Sequence, residues 1–326
     1  MMVDYKNFYD LMASYLITTF IFMKYFMQSN IRIFLIIPII FSLNIYSSSD
    51  FYGKINVSLA QIDNGTDDET DTLNNASRIG FKSKFKLSEN LNFLLQVENE
   101  IDPTDGRADG DKVFKQRNTF VGISGNFGKL FIGTHDTAFK KGQLKIDLFN
   151  DTQSDIKNIL RGENRMQDLI GYESPELFNG IKVVLNNIKT SDKSYQSYSI
   201  NYSSDSLKAS YSIDTGLKGY DGKRLSISYS ANKTTIGAIY QDTEKTVTSN
   251  KESGFVYSVK QKISNKGSLL FQVAESDMKV MGGKQTSFGY NHQVRKELKV
   301  FTALSVLSKD NAKDKDWLTV GFEYKF

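Results

Sequence analysis

From about residue 54 to its last residue the chain alternates apolar and polar side chains with a period of two, which constrains its fold more than any other feature. Ile55, Val57 and Leu59 alternate with Lys54, Asn56, Ser58 and Ala60, and Ile79, Phe81, Phe85 and Leu87 with Arg78, Lys82, Lys84 and Lys86. The pattern returns around Tyr198, Tyr211, Leu225, Phe255, Leu269 and Leu298. A period of two sends successive side chains to opposite faces of a strand. Clusters of Asn, Asp, Gly, Ser and Lys, such as Ser88–Glu89–Asn90 and Asn265–Lys266–Gly267, divide the runs as turns do. Strand-length and turn-spacing rules give about sixteen runs, at roughly 17 residues for each strand with its loop. No window after residue 50 sustains a helical period, so the expectation is all-β and antiparallel.

A soluble β-helix or propeller would bury its apolar face as a core. Here the polar face carries runs such as Lys82, Lys84 and Lys86, and the opposite face is almost wholly apolar. That distribution fits a transmembrane up-and-down barrel with lipid outside and water inside. The mean hydropathy of −0.37 excludes a bundle of membrane helices but not such a barrel, whose two faces average out polar. Pro103 and Pro175 fall at strand ends or loops, where a missing backbone donor does least harm. The chain ends in a regular strand, with Leu318, Val320, Phe322, Tyr324 and Phe326 on one face, as closure against the first strand requires. Tyr324 and Phe326 would lie in an interfacial aromatic girdle.

The first fifty residues read as an address. Residues 33–46 are a continuous apolar run, too short for a comfortable span, preceded by Arg32 and followed by Ser47, Ser48 and Ser49. This is the layout of a secretory signal peptide, with cleavage expected after Ser49. The expected organisation is therefore 1–26 as an over-called start or N-terminal extension, 27–49 as signal peptide and 50–326 as the barrel. Residues 11–23 are a weaker apolar stretch; a membrane anchor is the rival reading, but Lys24 and Arg32 interrupt it.

Zero cysteine removes disulfides, thiolate metal sites and cysteine nucleophiles, and two histidines leave little for a metal, so no cofactor or metal is expected. The 41 basic and 37 acidic residues are interleaved without a basic block, which argues against a nucleic-acid partner. His135 beside Asp136 is the one pair resembling a catalytic base, and His292 alternates with Phe288 and Tyr290 on the outer face. Neither accompanies a nucleophile motif, so no enzyme is expected.

Two segments resemble the general trimeric porins of Gram-negative bacteria. Segment 117–134, RNTFVGISGNFGKLFIGT, is similar to the family's Arg…Gly-x-x-Gly-x-Phe-Gly…Gly hairpin, with matches at Arg117, Gly122, Gly125, Phe127, Gly128 and Gly133. Segment 171–180, GYESPELFNG, is similar to its Tyr-x-Ser-Pro…Gly turn. Together with SRIGFK at 77–82 and the terminal Phe326, the resemblance spans the chain after residue 50. It implies a sixteen-strand barrel, a homotrimer in the bacterial outer membrane, and passive diffusion of ions and small hydrophilic solutes. It also implies that Tyr324 and Phe326 form the signal read by the barrel-assembly machinery. The loop after the fifth strand, about 136–165, would fold into the lumen as a constriction bearing Asp147, Asp151, Asp155 and Glu163. The opposing basic wall would be Arg78, Lys82, Arg117 and Arg165. Parity independently turns Arg78 and Lys82 toward water, whereas that of Arg117 is ambiguous, because Phe120 and Val121 lie on opposite faces of the same strand. Thr134 stands where an Arg is common in the family, and the loop lacks the Pro-Glu-Phe-Gly-Gly run of enterobacterial members. A substrate-specific channel and an adhesive or enzymatic barrel are the alternatives.

Overall fold

A computed structural model describes residues 47–278, 283–310 and 312–326. The proposed extension, and the signal segment up to residue 46, lie outside the described residues. Ser47, Ser48 and Ser49 belong to the first strand, where they stand opposite Phe85, Lys84 and Ser83.

The alternating runs form one antiparallel sheet of eighteen segments in which each pairs with its chain neighbours. They are β1 (Ser47–Asp63), β2 (Asp68–Asn74), β3 (Arg78–Ser88), β4 (Leu91–Glu100), β5 (Lys115–Gln116), β6 (Thr119–Gly125), β7 (Gly128–Asp136), β8 (Arg165–Glu173) and β9 (Ile181–Lys189). After these come β10 (Ser194–Ser203), β11 (Leu207–Leu217), β12 (Tyr220–Ala231), β13 (Thr234–Lys245), β14 (Lys251–Lys262), β15 (Gly267–Ser276), β16 (Gly283–Gln293), β17 (Leu298–Lys309) and β18 (Ala312–Lys325). Segments β2 and β3 both pair with β1, and β5 and β6 both pair with β4, so each couple is one interrupted strand. Eighteen segments less two gives sixteen barrel strands, the number expected. β18 returns to β1 from Lys325 opposite Lys54 to Asp316 opposite Asp63, so the sheet has no open seam there.

Cross-strand register separates the faces. Leu59, Ile132, Ile200, Tyr257 and Val320 are exposed on the outside of the barrel. Ser210, Ser226, Arg224, Gln241 and Gln272 point inward and are buried. The distribution is the reverse of a soluble sandwich, because the solvent for the outer face is hydrocarbon.

Several irregularities break the ladder, and three of them, near the loop, each add one residue to one strand. Between Asn74 and Arg78 the chain takes four steps while β1 takes three, and Ala76 adopts φ +54°. Between Gln116 and Phe120 it again takes four against three on β4. Between Met166 and Leu169 it takes three against two on β7, with Asp168 at φ +52°. An extra residue reverses the parity of the strand beyond it, which is how β-bulges re-aim side chains. Arg78, Arg117 and Arg165 each stand within a few residues of one of these bulges. The ambiguous parity of Arg117 has this cause: Phe120 is inward and buried, Val121 is outward, and the bulge lets Arg117 point inward as well.

Candidate functional site

The connection from β7 to β8 does not stay at the rim. Its first turn is α1 (Ala138–Lys141), capped by Thr137, whose side chain accepts from the Lys140 amide. Two free amides of that turn are satisfied by the wall: Ala138 N donates to Asn186 Oδ1 at 2.6 Å and Phe139 N to Ser197 Oγ at 3.0 Å. Farther along, Leu148 N donates to Gln272 Oε1 at 2.8 Å, Gln285 Nε2 donates to the Gln153 carbonyl at 3.1 Å, and Ser276 Oγ to that of Ile159 at 2.7 Å. Residues on β9, β10, β15 and β16 thus all hold this loop from inside the barrel.

Apolar packing adds to these bonds. Ile146, Ile156, Ile159 and Leu160 of the loop join a buried cluster with Ile239, Val256, Ala274, Leu307 and Trp317 of the inner wall. Part of the lumen is therefore filled like the core of a soluble protein, and a second apolar cluster, Phe120, Phe131, Leu169, Ile188 and Leu217, covers another part of the inner wall. Arg224 of β12 completes the attachment. It donates to Glu163 Oε1 at 2.9 Å, to the Arg161 carbonyl at 3.0 Å and to Gln241 Oε1 at 2.8 Å, with the Phe139 ring 4.4 Å from its guanidinium carbon.

The four loop carboxylates have separate surroundings. Asp151 meets the basic wall directly, 2.6 Å from Arg78 and 2.8 Å from Lys54. Asp147 lies inside the loop and accepts from the Phe149 and Ile156 amides and from Gln272. Asp155 caps the 3-10 turn at Ile156–Asn158 through the Lys157 amide and also accepts from Asp151 N. Glu163 faces Arg224, on the side of the barrel away from Arg78. Among the four basic positions, Arg117 bonds Glu98 at 2.9 Å and Glu100 at 2.7 Å. Arg165 reaches Asp136 at 3.0 Å and Asn118 at 2.9 Å. Lys82 is half exposed, farther toward the chain termini, 3.6 Å from Asp50. The geometry thus groups Asp151 with Arg78 and sets Arg117 and Arg165 beside their own carboxylates.

Charge state follows surroundings. Burial alone would raise Asp151, but Lys54 and Arg78 outweigh it and hold the carboxyl below the usual carboxylate range. Burial, with Asp155 nearby, pushes Asp147 well above its ordinary value. Burial also raises Glu163, against the pull of Arg224.

Sequence reasoning did not place Lys54, Glu98, Glu100, Asp136 or Arg224 at the constriction. Lys54 and Arg224 were readable as inward by parity; what the pattern could not supply was which stretch of loop each would meet. The histidine beside Asp136 makes no catalytic pair: His135 packs on Phe120 and Phe131, and its Nδ1 lies 2.8 Å from the Asp136 carbonyl oxygen rather than its carboxylate.

A closed barrel with an apolar exterior, a polar lumen and an internal loop is the architecture of a membrane channel. The sequence profile of the Gram-negative porins matches residues 42–325, and the chain belongs to that family, whose members are outer-membrane channels and not enzymes. Outer membrane porin protein 32 of Delftia acidovorans is 26% identical over 280 residues, covering 76% of this chain and 78% of that protein. The major outer membrane protein P.IB of Neisseria sicca is 33% identical over 103 residues, covering 30% of this chain and only 28% of its own length. Among solved structures, the anion-selective porin from Comamonas acidovorans superposes with a TM-score of 0.75 at 18% identity, covering 86% of this chain and all of that one. OmpF of Salmonella typhi, in complex with daunomycin, gives 0.67 at 16% identity, covering 85% and 97%.

Proposed function

We propose that the chain forms a passive diffusion channel for ions and small hydrophilic solutes, narrowed where the loop of residues 137–164 approaches the wall of β1 to β8. The observation that carries this reading is the attachment of Asp151 to Lys54 and Arg78 across the lumen from the Arg224 anchor. With the loop held at both places, passage is left to the space facing Arg117, Glu98, Glu100, Asp136 and Arg165. Each of these charges is largely covered by its own partner, with 8–19% of the side-chain surface left open. Glu98 and Glu100 beside Arg117, and Asp136 beside Arg165, make this a mixed-charge lining that orients dipolar solutes and disfavours apolar ones.

The native unit is a homotrimer in outer-membrane lipid, delivered by an N-terminal signal peptide and assembled through recognition of Tyr324 and Phe326. OmpT of Vibrio cholerae, a similar barrel at TM-score 0.64, is described in a trimer form. Tyr324 and Phe326 stack 5.9 Å apart on the outer face, and Phe326 exchanges backbone bonds of 3.0 and 3.2 Å with Gly53. Planar-bilayer recording of residues 50–326 tests the reading. Ohmic steps grouped in threes support it; folded, heat-modifiable protein that never yields a step would overturn it.

A further inference from the structure

At loop level Arg78, Arg117 and Arg165 each have a carboxylate partner, but six lysines on the wall between the loop and the chain termini have none among the described residues. The two longest connections, 101–114 and 137–164, leave one end of the barrel, and both ends of the sheet lie at the other. Short turns mark the periplasmic end of outer-membrane barrels, so the terminal end is periplasmic. Register identifies what faces the lumen there. Lys84 and Lys86 share the inward face of β3 with Arg78, and Lys182 stands opposite inward Asn201. Lys208 stands opposite Ser203 and Ser228, Lys260 opposite Thr235, and Lys262 opposite Ser268.

These six lysines, from four strands spread around the barrel, have no carboxylate within ion-pair distance among the described residues. The carboxylates on the same stretch of inner wall are already engaged. Asp50 pairs with Lys82, Glu173 with Lys129 and Lys141, and Glu323 with Lys299 and Lys325. The periplasmic turns carry four carboxylates and four cations, which cancel. A wall that needed only solvation would be served by mixed charge, as the wall at loop level is.

We propose that this basic periplasmic wall, more than the paired charges at the constriction, sets the sign of the ions the channel admits. It concentrates small anions of the size of inorganic phosphate or short carboxylates and repels cations. A single-sign lining inside a low-dielectric barrel focuses its field into the lumen, and near physiological salt the Debye length of about 8 Å lets that field reach well into the pore. The inference rests on the diffusion-channel reading and adds to it a solute class and the residues responsible.

The test is the reversal potential in a KCl gradient. The native channel is expected to prefer chloride, and the preference is expected to fade toward 1 M salt, where the Debye length shrinks to about 3 Å. Replacing all six lysines with Gln is expected to reduce the chloride-to-potassium permeability ratio by about threefold or more while unitary steps persist. An unchanged ratio overturns the proposal. If the sixfold variant does not assemble, Lys208→Cys supplies a second measurement, because the chain has no cysteine of its own. An anionic thiol reagent is expected to move its reversal potential toward cations, and a neutral reagent of equal size to move it less. Equal shifts, or none, overturn the proposal. Native protein that gives no steps at all sinks the channel reading itself, a different failure from a channel without anion preference.

Discussion

At the scale of single residues, the same type of side chain has different work according to what surrounds it. Asp151 bridges two cations and is the one loop carboxylate that ties the loop to the basic wall. Asp151→Asn keeps the shape but removes the charge that Lys54 and Arg78 balance. The reversal potential is then expected to shift toward anions, whereas Asp155→Asn, inside the loop, is expected to move it much less; equal shifts would contradict the assignment. Arg224 is fully buried, and losing it strands Glu163. Breaking a buried pair in this way costs about 3–5 kcal/mol, so Arg224→Met is expected to give an unsteady open-channel current. Adding Glu163→Gln to Arg224→Met is expected to recover part of the loss, and a double variant no quieter than the single one would remove the pair from the account. The pH response follows from the loop carboxyls. Asp151 is depressed, so its contribution is complete above the ordinary carboxylate range and is lost only as pH falls through its lower folded value. Asp147 is raised, so the stability linked to its protonated form is present at low pH and is lost as pH rises above the ordinary carboxylate range through its folded value. Lowering the pH toward the ordinary carboxylate range is therefore expected to quiet the current through Asp147 without releasing Asp151, whose folded value lies lower still. Single-channel noise against pH reads this directly, and noise that rises steadily on acidification would refute it.

At the scale of elements, the strands were legible because a period of two needs no tertiary information. Each run from Ile55 to Phe326 carries its own inside and outside. The bulges were not legible. Ala76 and Asp168 are ordinary residues at left-handed backbone angles, and nothing in Asn-Ala-Ser or Gln-Asp-Leu announces an added residue. The cost was greatest at Arg117, whose direction depends on the step between Gln116 and Phe120. The lumen loop was legible in length and acidity only. Its partners, Gln272, Gln285 and Arg224, are more than sixty residues away in sequence, so no local pattern could assign Glu163 to Arg224 rather than to the Arg78 side. Closure belongs to this scale too. Phe326 is expected to act through β18, where its ring covers Gly53 of β1. Phe326→Ala is expected to lower the yield of assembled barrel severalfold while leaving the conductance of the molecules that do assemble unchanged. Measuring heat-modifiable protein and step size together separates assembly from permeation, and a changed step size with full yield would argue against this role.

At the scale of the whole molecule, two kinds of cohesion share one barrel. The wall is a closed ladder of backbone bonds whose outer face is stabilised by hydrocarbon, and it needs no side-chain core. The lumen loop is held by an apolar cluster and a few buried polar contacts, as a segment of a soluble protein would be. These two parts therefore need not melt together. Ile156 and Ile159 are fully buried between the loop and the wall. Truncating an isoleucine in such a place costs about 2–5 kcal/mol, a cost that falls on the loop and not on the ladder. Ile156→Ala with Ile159→Ala is accordingly expected to release the loop at a temperature where the barrel remains closed. Conductance should rise and become noisy, while the temperature at which the barrel loses its heat-modifiable band stays within a few degrees of the native value. A parallel fall in both would mean that loop and wall are one cooperative unit. In that case the apolar cluster in the lumen is part of what keeps the barrel closed.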